Sequence, residues 1–318
     1  VAPGAGIDVW SGSANNIMSI GGSIYNNSNG VSTGSSRSHI RLRNGSQICN
    51  VVFRGNRSAV VTNDPALSTT PVTIFNLVTV DKGNSPDTTI TWNIGGTLTT
   101  LSNNWLTLLN GTLVYDRTGT FNISTTTDFT IPSTAGLTLN TPSDVFISNN
   151  AGSETLYLNG RLRITGGGGN VYIGPAGNTV NNADIEYSGS GASLLEIHSG
   201  NLFVNGQIRR PPASTNGTLT YRQSGGNVFI FGNNANAGKA KLEVLNDGSE
   251  FTMTGGNLTI VRGGGTTFGD LYLRPATATV TGGTVIFTQS PFSGPVIDAA
   301  QSYLLDANVP LNNLEVSG

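Results

Sequence analysis

The sequence predicts an all-β fold, a right-handed parallel β-helix (β-solenoid) with about 28 residues per coil and little or no α-helix. The main observation is a five-residue phrase, Gly-Asn-(Leu/Val)-x-(Val/Ile), which begins at Gly169, Gly200, Gly226 and Gly256, with a relaxed copy at Gly283. The steps between these glycines are 31, 26, 30 and 27 residues. A turn glycine followed by an alternating apolar strand at nearly constant spacing is typical of a stacked repeat.

Two further observations support this fold class. No window places apolar residues at i, i+3, i+4 and i+7, and Gly, Asn and β-branched residues, which disfavour helices, occur throughout the chain. Three short strands fit into each step between phrases, as in a coil that stacks on the previous coil. A series of β-sandwiches is the main alternative, but it would not need the same turn once in every three strands.

We expect two regions along the chain. Residues 1–35 are rich in Ser, Asn and Gly and only weakly periodic, which indicates an irregular N-terminal segment or cap. Residues 36–318 alternate between short apolar runs and turn residues, and these are predicted to form the β-solenoid. Before the first phrase, its strands are expected at residues 40–43, 51–54, 59–62, 72–80, 88–94, 106–115, 121–124, 129–131, 137–139, 145–147 and 155–164.

The last segment of the sequence, residues 310–318, is predicted to be an apolar strand without a polar cap. Terminal repeats of solenoids normally need such a cap, and an open apolar strand is an edge that pairs with other chains. We therefore expect the chain to be a fragment of a longer repeat protein, with further repeats covering this edge.

Charge and composition argue against several classes of partner. Charged residues make up 11% of the chain, the net charge is −2 and lysine occurs only three times, so no basic surface for nucleic acid is expected. No run approaches the roughly 18 apolar residues of a membrane span, so membrane insertion is not expected either. The single cysteine, Cys49, cannot form an intramolecular disulfide and is expected to be buried as a small apolar residue.

Two motifs resemble functional patterns, but their context favours chance. Residues 30–34 match the nucleophile elbow Gly-x-Ser-x-Gly, which needs a helix after the serine, and no helix is expected there. Residues 263–270 resemble a calcium-binding Gly-Gly-x-Gly-x-Asp repeat, but the match occurs once and is interrupted, so a wide turn is favoured over calcium at Asp270. Neither His39 nor His198 has a partner at metal-ligand spacing. We therefore predict no catalytic, cofactor-binding or metal site.

Carboxylates are sparse, and one group of three is the best candidate for catalysis. Asp184 and Glu186 share a face of the strand predicted at residues 183–187, and Glu196 lies one predicted strand later. A pair of carboxylates on one face is what a glycoside hydrolase requires. Alternating acids on an exposed strand are more often simply solvated, and we favour that interpretation.

Aromatic residues fall near corresponding strand positions in successive coils. Tyr157, Tyr172, Phe203, Phe229 and Tyr272 follow this pattern. One interpretation is an aliphatic core with an exposed aromatic stripe that stacks on sugar rings, and the other is a core filled by the aromatic side chains. The alternation of the phrase fits both interpretations.

A second phrase, Asn-Leu-x-Val, carries a family resemblance. Residues 313–316 read Asn-Leu-Glu-Val, and residues 76–80 are a related copy that reads Asn-Leu-Val-Thr-Val. A proline precedes both segments, at positions 310 and 71, and residues 9–12 read Val-Trp-Ser-Gly. With the Gly-Asn-Leu turns, most of residues 71–318 resembles the repeat regions of very large cell-surface adhesins that bacteria export by the type IX secretion system, including gliding-motility adhesins.

This resemblance implies surface display, attachment to surface polysaccharide or a solid surface, contact with the secretion or motility machinery, and no catalysis. We therefore expect a non-enzymatic, extracellular segment of a bacterial adhesin or stalk that attaches through an extended surface and needs no cofactor. A carbohydrate-active β-helix enzyme, either a polysaccharide lyase or a hydrolase, is the first alternative. A segment of a phage tail fibre is the second.

Overall fold

A computed structural model describes residues 1–2, 5–9, 15–30, 39–100, 102–124, 126–148, 154–177, 182–188, 193–233, 235–261, 269–288 and 302–317. These residues form parallel sheets stacked as a β-solenoid of about 8 turns with a repeat near 28 residues, and 56% of the chain is strand. The predicted fold class is confirmed. In the described ranges no helix is long and apolar enough to cross a membrane.

The strands are short except where one strand follows a coil around its corners. In chain order they are β1 (Ile7–Asp8), β2 (Asn15–Ile20), β3 (Ile24–Tyr25), β4 (Ile40–Arg41), β5 (Arg43–Asn44), β6 (Gln47–Gly55), β7 (Ala59–Thr62), β8 (Val72–Phe75), β9 (Val78–Lys82), β10 (Thr89–Trp92), β11 (Thr97–Thr100), β12 (Leu106–Tyr115), β13 (Phe121–Asn122), β14 (Phe129–Ile131), β15 (Ala135–Asn140), β16 (Val145–Ile147), β17 (Leu156–Leu158), β18 (Arg161–Gly166), β19 (Asn170–Ile173), β20 (Ile185–Glu186), β21 (Ser193–Ile197), β22 (Asn201–Val204), β23 (Ile208–Arg209), β24 (Leu219–Gln223), β25 (Asn227–Ile230), β26 (Leu242–Ile260), β27 (Leu271–Thr288), β28 (Leu305–Ala307) and β29 (Asn313–Ser317).

Unit 1 comprises residues 1–118 and 134–140. Its three parallel rows are β1-β4-β8-β11, β2-β6-β9-β12 and β3-β7-β10-β12-β15, and the hairpin of β5 with β6 is antiparallel. Strands β1 to β3 lie within residues 1–35, so part of that segment belongs to the parallel rows. The core centres on Trp92, which stacks on Trp105 at 5.4 Å and contacts Phe53 and Phe75.

Unit 2 comprises residues 119–133 and 141–318. Its row A is β14-β17-β20-β23-β26-β27-β28, row B is β18-β21-β24-β26-β27, and row C is β13-β16-β19-β22-β25-β26-β27-β29. Strands β26 and β27 each contribute to all three rows. The core is mainly aliphatic, with Tyr221 stacked on Phe251 inside row B at 5.2 Å.

The four Gly-Asn phrases form the corners that open β19, β22, β25 and the last part of β26 in row C. In Gly226, φ is +66°, and a Cβ atom there would lie 2.6 Å from the Gly200 carbonyl oxygen of the previous coil. That carbonyl accepts a hydrogen bond from the Asn227 amide at 2.9 Å. Glycine is therefore required both by the left-handed backbone conformation and by the close stacking of the coils.

The asparagine of the phrase forms a ladder along the outer side of row C. The side chains of Asn170, Asn201, Asn227 and Asn257 each donate to the residue one coil earlier, beginning at Asp144, over 2.8–3.0 Å. Each amide in the middle of the ladder therefore donates to one coil and accepts from the next. This explains why the phrase contains asparagine and not just any turn residue.

Two runs that the sequence predicts as continuous strands are broken in the structure, which corrects those boundaries. Residues 72–80 form β8 and β9 in different rows, and between the two strands the Asn76 side chain donates to Asn50 at 2.7 Å. Residues 155–164 divide into β17 and β18 at the turn of Asn159 and Gly160. Residues 106–115 remain one strand, β12, which passes from one row to another at Gly111 with φ +79°.

The last described coil leaves core positions open. Leu314 and Val316 pair with Val285 and Phe287, which are buried, yet they are 52% and 67% exposed. Cys49 is buried, as the sequence predicts.

Candidate functional site

Eight charged side chains gather in unit 2 around the strands of row A. We call them the charged corner. Four are acidic, four are basic, seven are buried and Glu186 is half-buried. The members are Asp184, Glu186, Arg209, Arg210, Lys239, Lys241, Glu243 and Asp270.

Alternation along row A places six of these side chains on the outer side of the coil, namely Asp184, Glu186, Arg209, Lys241, Glu243 and Asp270. Ile185, Ile208, Leu242 and Leu271 point into the core, so the residues before and after each of them point outward. A later segment, residues 236–240, covers this part of row A. The Gln207 side chain holds it in place, because its amide donates to the carbonyl oxygens of residues 236, 239 and 240. Outward-facing charges are thereby removed from water.

Arg209 neutralises two carboxylates of the previous coil at once. Its guanidinium donates to Asp184 Oδ2 at 2.6 and 3.1 Å and to Glu186 Oε2 at 2.7 Å. Burial raises the pKa of Asp184, while the charge of Arg209 and the hydrogen bonds from Gln207 and Arg209 oppose that shift. A buried guanidinium that donates to two carboxylates ties adjacent coils together.

The other two carboxylates are also held by cations. Arg210 donates to Glu243 Oε2 at 3.0 Å, and Lys241 Nζ lies 2.7 Å from Asp270 Oδ1. Both side chains of the second pair are essentially unexposed, at 0% and 1%. Each carboxylate of the charged corner therefore has a basic partner, and these ion pairs hold adjacent coils together.

A cleft of about 430 Å³ opens beside the charged corner. Its described lining includes three basic residues, Arg210, Lys239 and Arg274, and the ring of Tyr272. Arg274 is paired with Asp306, because its Nε and Nη2 donate to Asp306 Oδ1 at 3.1 and 2.8 Å. The Arg274 guanidinium lies 5.9 Å from the Tyr272 ring centroid and is half-exposed. Burial lowers the pKa of Lys239, whose ammonium donates to the Ser214 carbonyl. The cleft thus combines cationic donors with an aromatic ring, a combination suited to an acidic sugar.

The structure brings together two of the three predicted carboxylates. Asp184 and Glu186 share one face, as the sequence predicts, and both contact Arg209. Glu196 lies in row B, where its carboxylate is 2.7 Å from Arg163 Nε. The candidate trio is therefore divided between two rows.

Both histidines lie beside carboxylates, which the sequence did not indicate. His39 is buried, and its Nε2 is 3.4 Å from Asp8, which also accepts from Arg41. His198 contacts the Ser224 hydroxyl at 2.8 Å and Glu196 at 3.3 Å. Among the described residues, no three His, Cys, Asp or Glu side chains are grouped to hold a metal ion.

Residues 31–34 of the elbow motif and 263–268 of the calcium-like motif lie outside the described residues. Asp270, at the end of the second motif, is described, and its carboxylate faces Lys241.

The aromatic stripe faces outward, which decides between the two interpretations left open by the sequence. Tyr172 stacks between Phe146 and Phe203, and Phe203 stacks on Phe229, with centroids 4.7–4.9 Å apart and planes within 13°. All four rings are half-buried over an aliphatic core. Because each ring face is covered by the next ring, the stripe offers mainly ring edges to solvent and no broad platform for a sugar.

The predicted membership of the stripe needs a correction. Tyr157 and Tyr272 belong to row A, whereas the stacked rings belong to row C. Phe146, which the sequence reasoning missed, is the first ring of the stack.

Five members of the charged corner were also missed: Arg209, Arg210, Lys239, Lys241 and Glu243. The sequence contained one signal for these residues. Two of the chain's three lysines, at positions 239 and 241, follow the Arg-Arg pair at 209–210 by about 30 residues. In a chain with a charged fraction of 11%, this spacing of about one coil places the two basic pairs near each other in the solenoid.

The fold and this site define the class of the protein as a parallel β-solenoid with a buried ionic corner. No protein-family model matches the chain, and neither a curated protein nor a solved structure does.

Proposed function

We propose that the chain is a non-enzymatic, extracellular segment of a bacterial surface adhesin or stalk, and that it attaches to acidic surface polysaccharide. The observation that carries this proposal is the cleft of Arg210, Lys239, Tyr272 and Arg274, which has basic and aromatic lining. The resemblance of the repeats to type IX adhesins supports the same location and role.

Acidic polysaccharide fits the cleft better than a neutral one. Carboxylates or sulfates along a glycan accept hydrogen bonds from guanidinium groups. Arg274 donates to Asp306 through Nε and Nη2, so its Nη1 is the group that would donate to a glycan. Tyr272 supplies an aromatic surface next to these donors. A long polymer that contacts many coils adds further weak contacts, so attachment gains from avidity.

The arrangement of carboxylates supports a binding role over catalysis. Asp184, Glu186 and Glu243 each accept hydrogen bonds from arginine in the charged corner. A general acid or base must exchange protons with the substrate, and a carboxylate that bridges coils is poorly placed for that exchange.

The open core positions of the last coil support a further part of the proposal. Stacking of another coil on β29 would bury Leu314 and Val316, which lie in the core register of row C. We therefore propose that additional repeats cover this edge, as in other solenoid arrays.

Binding of the full chain to immobilised alginate, with neutral dextran as the reference, tests the proposal. Arg274→Gln should weaken alginate binding about tenfold, because it removes charge-assisted hydrogen bonds. The matched control is Arg222→Gln, since Arg222 is also half-exposed and paired with one carboxylate, Glu250, but lies in row B. Equal losses in both variants, or equal binding to dextran, would refute binding at the cleft.

A further inference from the structure

Lys241 and Asp270 meet in a geometry that favours covalent bond formation. The Nζ to Oδ1 distance is 2.7 Å, and the exposed fractions of the two side chains are 0% and 1%. Cγ, the carbon that the amine would attack, is bonded directly to the Oδ1 atom that Nζ contacts. A near-attack arrangement requires the reacting atoms to be about 3–3.5 Å apart. Bulk water has no access to compete with the amine.

The backbone holds both partners in place. The Lys241 stem runs against Gly232, where φ is +62° and a Cβ atom would lie 2.5 Å from Lys241 Cδ. Asp270 Oδ2 accepts a hydrogen bond from the Leu304 amide at 2.8 Å, which fixes the carboxylate plane. The same amide is placed to stabilise negative charge that develops on Oδ2.

The surroundings of the pair favour uncharged species. Burial, together with the charge of Asp270, raises the pKa of the nearby Tyr303 hydroxyl to about 12. An ammonium and a carboxylate buried in such a place carry a desolvation penalty that a neutral amide does not. The pair spans two coils, so a bond between them would lock β26 to β27.

We propose that Lys241 and Asp270 condense to an intramolecular amide (isopeptide) bond. The ammonium first gives a proton to Oδ1, and the neutral Nζ attacks Cγ while Oδ2 is held by the Leu304 amide. A second proton passes from nitrogen to Oδ1, the Cγ–Oδ1 bond breaks, and one water leaves. Of the three ammonium hydrogens, one remains on the amide and two depart in the water, so no oxidant, reductant or co-reactant is needed.

The intact mass of the denatured full chain tests this step. The expected mass is that of the sequence less one water, and a tryptic digest should contain a branched peptide that joins residues 241 and 270. An unshifted mass together with free peptides from both segments would overturn the proposal.

Two lysine variants distinguish this bond from other losses of water. Lys241→Arg keeps a cation beside Asp270 but has no reactive amine, so its mass should equal that of its sequence. Lys239→Arg changes a buried lysine that donates to the Ser214 carbonyl, and the variant should still lack one water. Loss of water in the Lys241→Arg protein would contradict the proposal. If Lys241→Arg does not fold, the branched peptide of the unmodified chain alone decides the question.

Discussion

Gly226→Ala adds a single methyl group at the corner where two coils stack. Two costs follow from the structure. The backbone φ of +66° is unfavourable for a residue with a Cβ atom and costs about 1–2 kcal/mol. The methyl carbon would also lie 2.6 Å from the Gly200 carbonyl oxygen, and such overpacking costs about 1–3 kcal/mol. The expected loss in the free energy of unfolding is therefore about 2–5 kcal/mol.

Two other glycines of unit 2 separate these costs. Gly168 has a similar φ of +73° with no atom within 4 Å of an added Cβ, so Gly168→Ala should show only the conformational cost. Gly255 lacks a positive φ, but a Cβ there would lie 2.5 Å from the Ser224 carbonyl oxygen, so Gly255→Ala should show only the steric cost. Urea denaturation of the three variants measures each change. If Gly226→Ala cost no more than Gly168→Ala, the close stacking of coils at this corner would be refuted.

Three further predictions concern the asparagine ladder, the aromatic stripe and the buried Tyr221. Asn201→Ala removes the donor to Asn170 Oδ1 and the acceptor for Asn227 Nδ2, so it should lower the urea-derived stability by about 1–3 kcal/mol. No change would mean that water replaces these bonds of the ladder. Phe203→Leu removes two stacked contacts and should cost about 1–3 kcal/mol, whereas Phe146→Leu, at the end of the stack, should cost about half as much in the same assay. Burial raises the pKa of Tyr221 above its usual value of 10. The buried neutral side chain therefore contributes fully to the free energy of unfolding below pH 10. This contribution is lost as the pH rises further, because Tyr221 then ionises in the unfolded chain. The stability of Tyr221→Phe should therefore fall less between pH 9 and pH 11, and identical pH profiles would contradict this reasoning.

The sequence predicts the coil because the phrase repeats its chemistry as well as its spacing. Glycine supplies the left-handed corner, and the apolar positions define the core side of row C. The corner at Gly169 differs in detail, since the positive φ values there belong to Gly167 and Gly168. The run of glycines in the sequence allows the turn to shift by one or two residues.

The contacts between coils could not be predicted, because they depend on register. Asp184 and Arg209 are 25 residues apart, while Asn170 and Asn201 are 31 apart, although both pairs bridge adjacent coils. A coil length that varies by several residues hides which side chains will face each other. The outward direction of the aromatic stripe was unpredictable for a related reason, since a strict alternation fits either face of a strand.

The burial of the charged corner also lies beyond sequence reasoning. Asp184 and Glu186 have the alternation of an exposed strand, and their outward direction is correct. Asp184 is removed from water because later segments of the chain, including residues 236–240, fold over row A. The alternation of residues within one strand carries no information about a distant segment that packs over that strand.

Product release from acidic polysaccharides tests the central claim most directly, because it distinguishes an attachment solenoid from a β-helix enzyme. The full chain is incubated with pectin and with alginate, and new reducing ends and unsaturated products are followed over many hours beside an active lyase. Our account predicts that the polymer is bound at the cleft of Arg274 and Tyr272 and is recovered at its original length. A steady release of products that depends on the protein concentration would contradict it.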